Sequence, residues 1–302
     1  MDKFRDRIIK EFGSYGFKFF RETIWSSSLQ HADLPRIRNF LLKNNFKYID
    51  VSLVRPQDDK TCRMRWSTHY QQSGQCISTM HEVPIPAESN NLKLTFSYTS
   101  AEMRHNSRAQ TIVVANALRL VFGVPVAREL VITRYFSMGK EEAEFFSDEG
   151  YASKFDTQEL NMFNNPAIEQ AELIDVPEEA AILLDKSFSQ TYPSERFILM
   201  WLAFEAIIHS IIEKGNNGEK RQMFFKDILK SDIANDEVYR LFKLRCVLFK
   251  EGQSPSQYIE IENDCWSLYA AIQISIMKDC EQRRAFLSGY EVSVKEQSQS
   301  DT

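Results

Sequence analysis

The sequence predicts an α+β protein, with a mainly antiparallel sheet domain and its helices first and a four-helix bundle after it. Three observations lead there. Between residues 46 and 136, apolar and polar residues alternate in short runs, the pattern of strands with one wet face. Between residues 194 and 288, apolar residues recur at helical spacing, and the runs are separated by Gly- and Pro-containing breaks. The charge is also unevenly divided. Residues 1–139 hold 20 Lys and Arg against 12 Asp and Glu, residues 140–193 hold 3 against 13, and residues 194–290 hold 13 against 14. A chain of 302 residues is long enough for two domains.

Taken in order, the first expected helix is Leu34–Lys43. In residues 46–55, Ile49, Val51 and Leu53 share one face of a strand. In Cys62–Tyr70, the residues Cys62, Met64, Trp66, Thr68 and Tyr70 face one way, and Arg63, Arg65, Ser67 and His69 the other. Leu92, Leu94, Phe96 and Tyr98 alternate with Lys93, Thr95 and Ser97. A long helix is expected over Ala101–Phe122, stopped by Gly123 and Pro125, and a strand over Glu129–Phe136. Residues 140–193 read as short helices and a linker, with Pro166 and Pro177 as breakers.

In the third part, Pro193-Ser194 offers a start for a helix running from Glu195 to Lys214, where Gly215-Asn216-Asn217-Gly218 ends it. Further helices fit Glu219–Leu229, Asn235–Lys250 and Gln257–Ser288, the last with Tyr258, Ile261, Cys265, Leu268, Ile272, Ile276 and Cys280 on one stripe. The predicted organisation is a basic α+β domain (1–139), an acidic connector (140–193), the bundle (194–290) and a disordered tail (291–302).

Several functions are set aside by what is missing. The five cysteines and five histidines are dispersed, without zinc-ligand spacing, and the common cofactor and hydrolase motifs do not occur. No cofactor or metal is therefore expected. The apolar run Ile198–Ile212 is broken by Glu205 and His209, and the first residues alternate in charge. These features predict a cytoplasmic protein that does not span a membrane.

Two charges sit where apolar residues belong. Glu205 lies four residues after Trp201 and three before Ile208, inside the stripe Phe197, Trp201, Phe204, Ile208. Arg245 lies four after Leu241 and three before Leu248, inside the stripe Val238, Leu241, Phe242, Leu248, Phe249. A buried charge without a partner costs several kcal/mol, so the two are expected to meet across the bundle. Two uses are open to such a pair. It can fix helix register, or Glu205 can hold Arg245 so that its remaining donors face a phosphate.

The segment from Arg196 to Gly252 resembles a HEPN domain of the Apea-like branch found in bacterial anti-phage proteins. The family's W-x-A-x-E-A-like first helix is matched by Trp201-Leu202-Ala203-Phe204-Glu205-Ala206, and its Y-x-x-R-x-x-x-x-H-G helix is resembled by Phe242 through Gly252 with Arg245 at the arginine. The resemblance covers roughly the last third of the chain. It implies metal-independent RNA cleavage by the arginine and histidine of an R-x4-6-H motif, and a homodimer through the bundle that builds the site from two protomers. It also implies a place in a defence or toxin-like system. This chain has Lys250 where the family has histidine, and Cys246 follows the arginine. Cleavage needs a base for the 2′-hydroxyl and an acid for the leaving oxygen, roles that imidazole fills near neutral pH and lysine fills poorly as base. His209, one turn after Glu205, is the nearest alternative imidazole. The resulting expectation is a weakened or inactive ribonuclease site, formed by Arg245, Lys250, Glu205 and His209, that binds RNA or a protein partner. An active endoribonuclease using Arg245 with Lys250 or His209, and a scaffold without nucleic-acid binding, are the alternatives.

Two weaker anion-binding candidates lie in the basic part. Arg63, Arg65 and His69 line one strand face, with Lys93 on a neighbouring strand. That face lacks an aromatic row for base stacking, and a solvated face whose charge complements the acidic connector is the favoured reading. Arg104 and Arg108, with Glu102 and His105, crowd the start of the predicted Ala101–Phe122 helix, where cations oppose the helix dipole and invite an anion.

Overall fold

The structure is a computed structural model that describes residues 3–55, 63–70, 73, 76–83, 90–107, 109–146, 155, 170–251 and 258–300. It is α+β, with a five-stranded antiparallel sheet and helices in the first unit, Met1–Glu169, and a helical region in the second, Gln170–Thr302. The division between the units falls inside the stretch that reads as an acidic connector. No helix among the described residues is long and apolar enough to cross a membrane.

The first unit opens with α1 (Lys3–Gly13) and β1 (Phe19–Ser27), followed by α2 (Leu34–Lys43) and β2 (Ile49–Val54). Next come β3 (Arg63–Tyr70), β4 (Cys76–Val83), β5 (Asn90–Tyr98), α3 (Ala101–Asn106), α4 (Gln110–Phe122), β6 (Glu129–Ser137) and β7 (Lys140–Phe146). The main sheet has the order β2-β5-β1-β6-β7, every pair antiparallel, while β3 and β4 form a separate two-stranded ribbon.

β1 is the central strand and has no counterpart among the expected elements. Its sequence, Phe-Phe-Arg-Glu-Thr-Ile-Trp-Ser-Ser, is buried on both faces, so it lacks the alternation that marks a half-wet strand. Its charges are absorbed by partners. Glu22, fully buried, faces Arg5 at 3.2 Å, Lys93 at 3.4 Å and Arg134 at 3.6 Å. Arg21 donates to the carbonyls of Arg104 and Ser107. On one side α1 covers the sheet through Ile8 and Phe12, packed on Phe20 and Phe136.

The predicted Ala101–Phe122 helix is two helices, and Arg21 donates to the carbonyls of Arg104 and Ser107 where the first of them ends. Residues 140–146, read as part of a short-helix stretch, are the edge strand β7; Glu141, Glu142 and Glu144 suit an edge.

The second unit contains α5 (Glu178–Ser189), α6 (Pro193–Ile211), α7 (Asn217–Gln222), a wider-wound π turn at Met223–Ile228, α8 (Asp232–Glu251), α9 (Tyr258–Ile276) and α10 (Cys280–Ser300). α6 packs against both α5 and α9, and its Phe197, Met200, Trp201, Phe204, Ile207 and Ile208 are buried, with Trp201 meeting Phe242 of α8 and Phe204 meeting Phe225. The predicted Gln257–Ser288 helix also breaks in two. The Ile276 carbonyl accepts from Ile174, Lys278 donates to the Glu172 carbonyl, and Asp279 caps the new helix by accepting from Glu281 and Gln282. Residues 291–300, read as a tail, continue α10, where Glu291 accepts from Ser231 at 2.5 Å.

Candidate functional site

α6, α7 and α8 enclose a cleft of about 640 Å³. Glu205 comes from α6, Arg221 from α7, and Tyr239, Phe242 and Arg245 from α8. Amides from Asn216, Asn217 and Asn235, with Asp236, line its polar side.

The expected pair of Glu205 with Arg245 is not formed. Arg221 donates to Glu205 at 2.6 Å, and its guanidinium lies over the rings of Phe242 and Trp201. The reason is placement. α7 brings Arg221 to Glu205, and this residue satisfies the carboxylate. The Arg221 side chain is 8% exposed and that of Glu205 15%. Burial pulls Arg221 below the ordinary arginine value; the Glu205 charge opposes this and the Arg245 charge adds to it. The arginine keeps its proton throughout the working pH range.

Arg245 stands in the same cleft in a different state. Its guanidinium lies 4.8 Å from the Phe249 ring centre, and its Nε is buried without a hydrogen-bond partner. Among the described residues no carboxylate pairs with it. A cation in a polar cleft with donors unspent is the arrangement that accepts a phosphate or carboxylate.

Arg221 was legible in the sequence. It lies three residues before Phe224 and four before Phe225, so it interrupts an apolar stripe as Glu205 and Arg245 do. Its helix is held at its start by reciprocal bonds. Asn216 accepts from Gly218 and Glu219, and Glu219 accepts from the Asn216 amide. Gly215, at φ +102, makes the turn into this cap. Asn216→Ala is therefore expected to lower stability by about 1 kcal/mol, measured by urea unfolding.

His209 is exposed on α6 and engaged by α7: one ring nitrogen is 2.6 Å from Asn217 Oδ1 and the other 3.0 Å from Lys220 Nζ. Lys220, itself buried, thus meets the imidazole at Nδ1, which fixes the ring proton on Nε2 toward Asn217. His209 does not line the cleft among the described residues. Lys250 falls in the last turn of α8, five residues beyond Arg245.

The basic-domain candidates are dispersed. Arg63 and Arg65 lie on β3, opposite Val83 and His81 in the ribbon. Lys93 is not beside them; it lies in β5 of the main sheet, buried against Glu22. Arg104 is in the last turn of the short α3, where a cation suits the dipole, and it is spent on Glu142 and on the Phe136 carbonyl. That bond holds the Glu142 carboxyl below the usual carboxylate range. Arg108 lies outside the described residues. Among the described residues, no three His, Cys, Asp or Glu side chains gather as a metal site. Comparison with protein-family models, with curated proteins and with solved structures finds no match to this chain.

Proposed function

We propose that the second unit is a HEPN-like domain that binds RNA in the α6–α7–α8 cleft, with a weakened or inactive ribonuclease site. One observation carries this reading. Glu205 and Arg245, the two residues on which the family resemblance rests, line one cleft, and Arg221 adds a second guanidinium there. Arg245 supplies unspent donors for a phosphate, and Tyr239 and Phe242 supply flat apolar surface beside it. Cleavage needs a base and an acid at the same phosphate, and no described histidine lines the cleft. Lys250 and His209 stay the residues to which a working enzyme would have to turn. The same reading makes the protein a cytoplasmic component of a bacterial defence or toxin-like system, a homodimer through its helical unit, with RNA or a protein as partner.

The test combines binding and cleavage. A fluorescein-labelled RNA is titrated with wild type, Arg245→Ala and Arg245→Lys at 50 and 200 mM salt, and the same mixtures are held with EDTA and run on a gel. Wild type is expected to lose about tenfold in affinity between the two salts, as for two or three phosphate contacts. Arg245→Ala is expected to bind at least tenfold more weakly, and the RNA to stay intact. Metal-independent cleavage that disappears in Arg245→Lys overturns the inactive-site reading in favour of an enzyme. Wild type that binds no RNA at either salt overturns the RNA reading and leaves a scaffold.

A further inference from the structure

We propose that one end of the main sheet is a binding rim for single-stranded nucleic acid, separate from the helical cleft. Register places three turns together there: the α1–β1 turn, the α2–β2 turn and the tip of the β6–β7 hairpin. Phe19 at the start of β1 is opposite both Tyr98 at the end of β5 and Ser137 at the end of β6, and Ile49 at the start of β2 is opposite Phe96.

These turns carry exposed aromatic rings in contact with one another. Tyr48 packs 4.6 Å from Phe17 and 6.0 Å from Tyr15, centre to centre, and Tyr15 and Tyr48 are 65% and 44% exposed. Met138, also exposed, lies at the same end, where a side chain added at Gly13 would meet its methyl group. Tyr48 has φ +60, a conformation that bulky residues avoid, and it holds the ring outward on the Phe17 face. A strained, exposed tyrosine tilted against a second ring contributes little to a core. It does present a flat π surface to solvent.

Two unpaired cations flank the rings. Lys18 follows Phe17 and Lys47 precedes Tyr48, both exposed and without a carboxylate partner among the described residues. The nearby carboxylates are already engaged: Glu11 and Asp50 face Arg7, and Glu141 faces Arg5. Adjacent rings flanked by free ammonium groups match a strand of bases and phosphates, since every base has a face to stack and every link a charge to meet. Because base faces and phosphates are all that is read, RNA and DNA strands bind alike, while a duplex, with its bases already stacked, binds poorly. This is the aromatic row that the Arg63–Arg65 face lacks.

The experiment measures fluorescence anisotropy of labelled 12-nucleotide oligouridylate, oligothymidylate and a 12-base-pair duplex with the full-length chain. Variants are Tyr15→Ala with Tyr48→Gly, Lys18→Gln with Lys47→Gln, and Arg245→Ala. Glycine is at ease at positive φ, so Tyr48→Gly removes the ring without a folding penalty, which a melting curve checks. The ring variant is expected to lose at least tenfold in affinity for both single strands. The lysine variant is expected to lower the slope of log affinity against log salt by about 0.7 per lysine removed. Single-strand binding unchanged in a well-folded ring variant overturns the rim, as does equal or tighter binding of the duplex. If Arg245→Ala alone removes binding, the cleft reading stands and the rim falls. If only the ring variant does, the rim stands and the cleft reading falls.

Discussion

Replacing Glu22 by glutamine is expected to lower the stability of the sheet unit by about 3–5 kcal/mol, the cost of removing one partner from a buried ionic cluster. Glu22 is 0% exposed in the central strand and is faced by three cations, Arg5, Lys93 and Arg134. Glutamine keeps the volume and a hydrogen-bonding oxygen, so the loss is that of the charge. Arg5 still has Glu141, but Lys93, 2% exposed, is left, among the described residues, with the face of the Phe4 ring, 4.0 Å away. Hydrogen exchange of the β1 amides is the measurement, because it reports this unit alone. Exchange is expected to quicken by roughly two to four powers of ten, each tenfold step being about 1.4 kcal/mol. A change below tenfold would mean that the cations find water as readily as they found the carboxylate. Adding Lys93→Met should recover part of the loss, since the second variant removes the stranded charge and keeps the packing.

The second large effect separates two arginines that look equivalent in sequence. Arg221→Ala is expected to cost about 2–3 kcal/mol, a broken buried pair discounted for the 15% exposure of the Glu205 side chain. It also removes the cation resting on Phe242 and Trp201. Arg245→Ala is expected to cost less than about 1 kcal/mol, because no carboxylate among the described residues depends on it. A double-mutant cycle between Glu205 and Arg221, read by urea unfolding, should give a coupling of at least about 1 kcal/mol, and the cycle between Glu205 and Arg245 a value near zero. The reverse ranking would restore the direct pair across the cleft. The contrast also bears on function, since it makes Arg245 the residue that can be altered without disturbing the fold.

What the sequence made legible follows from which signals are local. The strands β2, β3, β5 and β6 and the helices α2, α6 and α8 announced themselves by period and by their end residues. β1 did not, because burial on both faces erases alternation, and two adjacent charges, Arg21 and Glu22, disguise it further. The breaks in the two long expected helices were hidden for a related reason. Each meets a remote partner, Arg21 at one and the Glu172–Ile174 backbone at the other, although Asp279 was a visible cap. At the cleft, the rule that a charge inside an apolar stripe needs a partner points to Glu205 and Arg245, and both line the cleft. The rule does not fix which arginine Glu205 takes, because Arg221 interrupts an apolar stripe just as Arg245 does. The aromatic rim escaped because its rings come from turns distant in sequence, and turns carry no period.

The central place of β1 shapes how the chain is made. Its partners are β5 and β6, which begin only at Asn90 and Glu129. A ribosome adding roughly 5–20 residues per second therefore leaves at least one edge of β1 open for on the order of 5–20 s, until β6 clears the exit tunnel. Phe20, Ile24 and Trp25 wait in solvent over that interval, as a hydrophobic segment that a nascent-chain chaperone would hold. The charged pair in its middle, Arg21 and Glu22, then has a use before any fold exists, because it interrupts a strand that would otherwise pair with its like on a neighbouring chain.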